Sequence, residues 1–518
     1  MAQRADPLTR ILGWTAAGLV LVAVLAAGIG IATRIAPDAR LEPGDWAAVR
    51  FTIVQALWSA GLSVIFAIPI ARALARRRFF GRGVLVTLLG APFILPVIVA
   101  VMGLLAVFGR NGWANFVLTS LGLPPVSIYG FHGVVLAHVF FNLPLATRML
   151  LQAWQTLPAE RFRLAAQLRL TPWAVFRSLE WPLLRQVVPG LAALIFVICL
   201  TSFAVALTLG GGPRATTVEL AIYQAFKFDF DLGRAALLSL IQLLLAGGVA
   251  LLAFSIVPSI ALGGGQDRPT QRWDAKGGLQ RMIDVCLIIV GAAFLLLPLL
   301  AVVLRGMTGI LELPAEVWYA AWNSLQVAGL SVVVLLLLAL PLAGWIAARP
   351  SGGLEAIGLL GLSASPLMIG TGWFILINPI ADPRMLSFIV TAFVNALMAL
   401  PFCLRIIVPQ LRDTLRVYGR LGASLRLKGI WLWRWLILPR IARQVGFAAG
   451  LTAALSVGDL GVIALFADSE RATLPLQMYR LMGAYKMDAA AGAALLLLGM
   501  ALGLFWLFER GGRAYAPA

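Results

Sequence analysis

The stretch RLAAQLRL at residues 163–170 occurs a second time as RLGASLRL at residues 420–427. The two copies continue without a gap for a further twelve positions, at a constant offset of 257 residues. The identical positions include three arginine pairs and one proline pair: Arg163 and Arg420, Arg169 and Arg426, Arg177 and Arg434, Pro182 and Pro439. Self-similarity at a long fixed offset indicates that the chain is built from two copies of one module.

The composition is that of a membrane protein. Of the 518 residues, 61% are hydrophobic and 12% are charged, whereas soluble domains carry about 25% charged residues. Runs of about 20 apolar residues are long enough to cross a bilayer. We predict an all-α protein with twelve spans, at 11–32, 48–71, 84–108, 131–151, 188–209, 235–259, 282–304, 318–347, 354–378, 386–408, 444–466 and 489–508.

The positive charge follows the predicted topology. The formal net charge is +19, a value that alone would suggest a nucleic-acid partner. With both termini placed in the cytoplasm, most of the 41 Lys and Arg residues fall on cytoplasmic segments, which is the positive-inside pattern of inner-membrane proteins. The charge therefore indicates orientation in a lipid membrane, and no nucleic-acid partner is expected.

The repeat also predicts how the chain is divided. Six spans separate the two polar stretches, so both face the cytoplasm and the halves are related by an axis along the membrane normal. The Gly-rich, charged residues between the sixth and seventh spans are typical of a linker. The predicted segments are a first helix and outer loop (1–47), a first module (48–259), a linker (260–281), a seventh helix and outer loop (282–317), a second module (318–510) and a tail (511–518).

Each repeated polar stretch is predicted to form a short helix, a turn and a second short helix. Leu164 and Leu168 share one helical face, and Thr171 is a suitable cap for the second helix. Pro182 and Pro439 are expected to end the second helix before the next span. One copy alone is equally compatible with an amphipathic helix at the lipid headgroups. Two copies in register favour docking surfaces for a two-fold symmetric partner.

The repeated stretch resembles the loop signature of the transmembrane subunits of bacterial ATP-binding-cassette importers. That signature contains Glu-Ala-Ala, then a glycine, then Leu-Pro. The resemblance places Ala165 and Gly422 at the last alanine, Leu168 and Leu425 before the glycine, and Pro182 and Pro439 at the proline. Arginine replaces the glutamate at 163 and 420 and the glycine at 169 and 426. In the family this loop docks the ATPase, so these ten residues are the candidate docking set.

The resemblance extends over nearly the whole chain. AHVFFNLP at 137–144, GGGPRATT at 210–217 and SVGDLGVIALF at 456–466 are similar to segments of permeases of thiamine and thiamine pyrophosphate importers. Permeases of ferric-iron importers share the architecture and are the alternative. The resemblance implies a type I importer fold of two six-span halves, a bacterial inner-membrane location, a periplasmic solute-binding protein as donor, and two copies of a cytoplasmic ATPase.

No nucleotide site is expected in this chain. A phosphate-binding Walker A loop needs Gly-Lys followed by Ser or Thr, and none of the four lysines is followed by either residue. ATP and Mg²⁺ would therefore be bound by the partner ATPases, and the chain itself is predicted to be neither an enzyme nor a cofactor protein. The three cysteines and two histidines lack the spacing of a metal site.

Asp459 is the most informative ionisable residue, because a charge deep in a span is costly and usually faces a cavity or a partner. Its equivalent in the first half is Ser202. Asp459 is predicted to attract a cationic substrate; the alternatives are a structural pair with Arg480 or Lys486, or exposure at the interface. Asn142 would line the same pathway or bond a neighbouring helix.

Two questions remain open at this stage. The outer segment with Arg214, Glu219 and Tyr223 could dock a periplasmic binding protein or form a re-entrant scaffold. The rival class of protein is a secondary transporter of twelve spans driven by an ion gradient. Such a transporter would be expected to carry several intramembrane acids or histidines, and the sequence offers one good candidate, Asp459.

Overall fold

The computed structural model describes residues 7–35, 40–90, 92, 94–256, 277–348, 357–358, 361, 365–467 and 470–515. Within these ranges the regular structure is entirely helical. The helices are α1 (Pro7–Ala32), α2 (Pro43–Arg76), α3 (Arg82–Leu88), α4 (Val97–Phe108), α5 (Trp113–Ser120), α6 (Phe131–Gln155), α7 (Ala159–Gln167), α8 (Pro172–Val175), α9 (Trp181–Leu200), α10 (Ala204–Leu209), α11 (Val218–Lys227), α12 (Leu232–Ile256), α13 (Gly278–Gly309), α14 (Ala315–Ala348), α15 (Pro366–Ile377), α16 (Ser387–Ser424), α17 (Gly429–Leu432), α18 (Leu438–Val457), α19 (Gly461–Phe466), α20 (Leu474–Gly483) and α21 (Met487–Tyr515).

Eleven helical segments among the described residues are long and apolar enough to cross a membrane. They confirm an all-helical, multi-span protein. The predicted ninth span, 354–378, is represented by the apolar helix α15, and much of its beginning lies outside the described residues. Most of the linker predicted at 260–281 also lies outside them. The predicted third span, 84–108, is interrupted between α3 and α4, because prolines at 92 and 96 remove backbone donors there.

The first and seventh spans each pack against the opposite half. α1 packs against α14 and α15 of the second half, whereas α13 packs against α2 and α4 of the first half as well as against α21 of its own half. The α1–α15 crossing is close enough that a Cβ atom added at Gly372 would lie 2.2 Å from the carbonyl oxygen of Ala27. Small residues permit such close backbone approach where lipid provides no hydrophobic drive for helix association. Each half is therefore completed by a helix that the other half contributes.

The helix that follows each repeated loop is irregular at the same place. In the first half α8 runs through a π-helical turn, Phe176–Glu180, into α9; in the second half α17 runs through Trp433–Ile437 into α18. Pro182 and Pro439 lie in the first turn of α9 and α18. The prediction that these prolines end a helix is wrong. The wider π turn accommodates the missing N–H group and the proline ring, so the helix continues.

Both helices then break before the span is complete. α9 ends at Leu200 and α10 begins at Ala204, while α18 ends at Val457 and α19 begins at Gly461. The two breaks coincide under the 257-residue offset. Non-helical backbone at membrane depth is tolerated only where protein or a water-filled cavity surrounds it. The predicted spans 188–209 and 444–466 therefore hold an interruption that their hydropathy does not reveal.

Candidate coupling loops and intramembrane polar site

The first repeated loop, residues 159–180, ends its first helix with a left-handed residue. Arg169 has a φ angle of 51°. Its N–H group donates to the carbonyl of Ala166 at 3.1 Å, and the next N–H, of Leu170, donates to Ala165 at 3.0 Å. This is the Schellman arrangement that terminates many helices.

The second loop, residues 416–437, repeats this geometry. Arg426 has a φ angle of 54°. The N–H groups of Arg426 and Leu427 donate to the carbonyls of Ala423 and Gly422 at 3.1 and 2.9 Å. The turn that glycine makes in the related loop signature is thus formed by arginine in both copies. A left-handed conformation costs a non-glycine residue about 1–2 kcal/mol, so arginine carries a cost here that glycine would avoid.

The two loops present apolar side chains at their surface. Leu168 is 63% exposed and Leu425 is 60% exposed. Trp173 in the first loop and Ile430 at the equivalent position in the second are 68% and 69% exposed. Exposed large apolar groups beside arginines are typical of a protein or membrane contact surface. The predicted shared face of Leu164 and Leu168 lies outward, since Leu164 is also exposed.

Equivalent small residues are buried within the two loops. Ala165 and Gly422, which occupy equivalent positions, are both buried. A Cβ atom at Gly422 would lie 3.1 Å from Leu432 and 3.3 Å from Leu436. Thr171 caps α8 as predicted, since its side chain accepts a hydrogen bond from the N–H of Ala174 at 3.3 Å. The side chains of Arg169 and Arg426 are both exposed, so they remain accessible to a partner.

Ser202 and Asp459 occupy the two helix breaks. Asp459 is half-buried, and its Oδ1 accepts a hydrogen bond from the N–H of Gly461 at 3.1 Å. Its Oδ2 is buried, and the N–H groups of Val462 and Ile463 and the side chain of Asn395 also lie close to the carboxylate. Ser202 is also half-buried. Simple exposure of Asp459 at the membrane interface is thereby disfavoured.

The break at Asp459 contacts the first half directly. A Cβ atom at Gly458 would lie 2.8 Å from Pro96, which precedes α4. A Cβ atom at Gly461 would meet both Asp459 Oδ1, at 3.5 Å, and the ring of Phe203, at 4.0 Å. Phe203 belongs to the break of the first half. The carboxylate of Asp459 therefore lies where the two halves meet.

Asn142 belongs to a buried cluster that joins three helices. Its Nδ2 donates to the carbonyl of His138 at 2.8 Å and to Cys199 Sγ at 3.4 Å. His138 in turn lies 3.3 Å from the hydroxyl of Ser59. These bonds link α2, α6 and α9, and they support the helix-bonding alternative for Asn142.

The second half has a hydrogen-bonded cluster between the equivalent helices. Asn395, the equivalent of His138, donates to Ser456 Oγ at 3.0 Å, and Ser456 Oγ lies 2.7 Å from Ser331 Oγ. The hydrogen bonds join α14, α16 and α18. Each half thus joins its three equivalent helices by buried hydrogen bonds, but with different side chains.

Glu219 is a buried acid that the sequence did not assign to the interior. It is fully buried on α11, beside the side chains of Gln242 and Ser365. Tyr223 on the same helix is also buried. Burial of Glu219 and Tyr223 supports a scaffold role for these two residues over docking of a periplasmic binding protein. Burial raises the pKa of the Glu219 carboxyl from 4.5 to about 8, because the charged form loses its hydration.

Paired polar loops, each joined by one helix to a break between the halves, define a two-half membrane transport permease. No protein-family model matches the chain. Its sequence is 41% identical to the thiamine transport system permease protein ThiP of Escherichia coli (strain K12), covering 98% of both chains. It is 38% identical to ThiP of Brucella abortus (strain 2308), over 96% of this chain and 92% of that protein.

ThiP of Haemophilus influenzae (strain Rd) is 35% identical over 87% of this chain and 86% of that protein. These values extend over nearly the full length of each relative, so both halves and both loops are included in the likeness. The chain belongs to the family of thiamine transport system permeases. It is a multi-pass membrane protein and a transport component.

Replacing both left-handed arginines by glycine, Arg169→Gly with Arg426→Gly, is expected to stabilise the isolated chain. Glycine adopts a positive φ at no steric cost, so each change should add about 1 kcal/mol. Thermal unfolding of the purified permease, followed by circular dichroism, measures the effect. Arg161→Gly, in the first turn of α7, is the control and should lower the stability by up to about 1 kcal/mol. Equal destabilisation by all three changes would contradict the left-handed assignment.

Glu219→Gln is expected to weaken the pH dependence of stability. In the wild type Glu219 is neutral when folded and ionised when unfolded between its ordinary pKa of 4.5 and about 8. The unfolded state then binds fewer protons, so stability falls as the pH rises through this window. Glutamine stays neutral, and the loss of stability from about pH 5 to about pH 8 should shrink by at least about 1 kcal/mol. Thermal unfolding across this range measures it, with the exposed Glu316→Gln as the control. An unchanged slope in Glu219→Gln would contradict the neutral buried carboxyl.

Proposed function

We propose that this chain is the permease of an ATP-driven importer that moves thiamine and its phosphates across the bacterial inner membrane by alternating access. Membership in the thiamine permease family supports the substrate. The single observation that carries the mechanism is the pair of equivalent loops, with the same left-handed turn and the same outward apolar groups. Each loop docks one of two identical cytoplasmic ATPases, which bind ATP and Mg²⁺.

The path from each loop to the membrane interior is short and continuous. α9 and α18 each comprise 20 residues, and a helix of that length spans about 30 Å. Each helix begins at the π turn of a docking loop and ends at a break beside the other half. A movement of the loop is therefore delivered by a stiff element to the place where the two halves separate.

The proposed orientation places both loops and both termini in the cytoplasm, in keeping with the positive-inside pattern. The breaks then lie toward the periplasmic side, where a solute-binding protein delivers the substrate. Asp459 is the proposed attraction point for a cationic substrate, and Ser202 is its neutral counterpart. A buried carboxylate oxygen without an opposite charge beside it, such as Asp459 Oδ2, would be stabilised by an incoming cation.

Charge reversal at both loops, Arg169→Glu with Arg426→Glu, is expected to uncouple the ATPases from transport. A charge mismatch at a docking surface should weaken the ATPase complex at least about tenfold, and ATP-dependent uptake of thiamine should fall accordingly. Co-purification and uptake into vesicles measure the two effects. The exposed Arg110→Glu, outside the loops, is the matched control. Normal assembly and uptake in the double variant would contradict docking through these residues.

Asp459→Asn is expected to reduce uptake of the cation without dissociating the ATPases. Asparagine keeps the Oδ1 acceptor for Gly461 but removes the negative charge. Loss of one partly screened charge–charge attraction should lower the rate of thiamine uptake about tenfold. Uptake of labelled thiamine, set against ATP hydrolysis in the same vesicles, separates this effect from misfolding. The exposed Glu312→Gln serves as the control. Undiminished uptake in Asp459→Asn would remove Asp459 from the pathway.

A further inference from the structure

The first loop is tied to the body of the protein by a buried cluster of charges. Glu180, the last residue of the first π turn, is fully buried. Its Oε2 atom lies 2.6 Å from both Nε and Nη2 of Arg72, and 3.9 Å from Nη2 of Arg76. Both arginines belong to the last two turns of α2.

The cluster continues to a third helix. Asp284 on α13 is buried and lies 2.7 Å from Nε of Arg77 and 3.7 Å from Nη1 of Arg76. Arg76 thus lies between the two carboxylates. The guanidinium carbon of Arg72 is also 4.9 Å from the centre of the Phe176 ring in the π turn, a distance at which cation–π attraction operates. Three elements, the first π turn, α2 and α13, are joined by one set of contacts.

The second half has an apolar cluster in the same place. The repeat GLSV at 61–64 and 329–332 relates α2 to α14 at an offset of 268 residues. Arg72, Arg76 and Arg77 then correspond to Leu340, Gly344 and Trp345, and Glu180 corresponds to Ile437.

The cluster of the second half is held together by van der Waals contacts and one hydrogen bond. A Cβ atom at Gly344 would lie 2.5 Å from the ring of Trp433 in the second π turn. Trp433 Nε1 lies 3.3 Å from Thr9 Oγ1 on α1, and Trp345 packs on Trp14 of α1 with ring centres 4.2 Å apart. Among the described residues, the second π turn, α14 and α1 are therefore joined as their counterparts are, without a carboxylate.

We infer that Glu180 and Asp284 are positioning residues that couple the first docking loop to α2 and α13 through buried ion pairs, while the second loop is coupled by aromatic packing. This inference rests on the proposed docking role of the loops. Each link also crosses between the halves, because α13 belongs to the second half in sequence and α1 to the first. The movement of one loop is consequently delivered to spans of both halves at once.

The buried charges make the first link sensitive to the loss of a single group. Removing one partner of a buried ion pair leaves an uncompensated charge, which is far more costly than removing both partners. Neutralising Glu180 leaves Arg72 without its closest carboxylate, and the π turn loses its attachment to α2. The docking surface itself is untouched, since Glu180 is buried beneath it.

The test compares uptake with ATP hydrolysis in proteoliposomes that contain the chain, its ATPases and its solute-binding protein. Glu180→Gln and Asp284→Asn should each assemble with the ATPases yet move about tenfold less thiamine per ATP hydrolysed, because each change breaks the buried ion pairs that join the π turn, α2 and α13. The surface pair Glu509 and Arg513 on α21 provides the matched control: Glu509→Gln should keep the wild-type ratio. A wild-type ratio in Glu180→Gln and Asp284→Asn overturns the inference.

A double variant separates a loss of coupling from a loss of folding. Glu180→Ile with Arg72→Leu gives the first half the apolar residues that the second half has at the equivalent positions. Asp284 remains as the carboxylate that pairs with Arg76. Because apolar replacement of a buried pair is often neutral for stability, this variant should assemble and recover most of the transport ratio. An assembled double variant that remains as uncoupled as Glu180→Gln overturns the equivalence of the two links.

The proposed function can fail independently of this inference. If vesicles with the unaltered chain show no ATP-dependent thiamine uptake, the importer proposal is wrong. If they do, and the neutralised variants keep the same transport ratio, the importer proposal stands and only the role of Glu180 and Asp284 is wrong.

Discussion

A chain that crosses a bilayer must satisfy its backbone hydrogen bonds within the protein, because lipid offers none. Regular helix is the default solution, and most of the described residues adopt it. The departures from regular helix are therefore the informative places. Three of them occur in equivalent pairs: a left-handed arginine, a π turn before a proline, and a break inside a span. All three lie along one continuous segment of each half.

That segment gives the two halves a common mechanical plan. The left-handed turn fixes the angle between the two short helices of the loop, and the π turn carries the chain past Pro182 or Pro439 without ending the helix. The break at the far end lies against the opposite half. Since a helix is stiff, displacement at the loop reaches the break with little loss. Both halves have this arrangement of backbone, but the side chains that attach it to the rest of the protein differ between the halves.

The differences lie at acidic residues inside the protein. The first half holds Glu180 and Glu219, whereas the equivalent positions in the second half are Ile437 and Leu476. The second half instead carries Asp459 opposite Ser202. Burying a charge costs free energy unless the charge is paired with an opposite charge or serves the protein's function. The two halves therefore depart from two-fold symmetry at different places. The first half does so where its loop is attached and at α11, and the second half does so where the two breaks meet.

Much of this architecture is predictable from local sequence. Apolar runs locate the spans, the 257-residue offset locates the loops, and Thr171 before Pro172 predicts the start of α8. The rest depends on contacts between distant segments. Pro182 gives no local sign that a π turn will precede it, and hydropathy does not distinguish the break at 201–203 from continuous span. Glu219 looks like an outer-loop residue until α12 and α15 pack around it, and the packing of α1 and α13 against the opposite halves has no signal in the sequence.

Site-directed crosslinking tests the central claim, that the paired loops receive two ATPases. Single cysteines at Leu168 and Leu425, both exposed, would be introduced with the exposed Cys286 changed to serine; Cys199 and Cys403 are buried. A cysteine at Leu123, which is exposed elsewhere on the chain, is the control. The account predicts crosslinks from both loop positions to the ATPase, with yields that change when ATP is bound, and none from position 123. Crosslinks from both loop positions to lipid alone would contradict it.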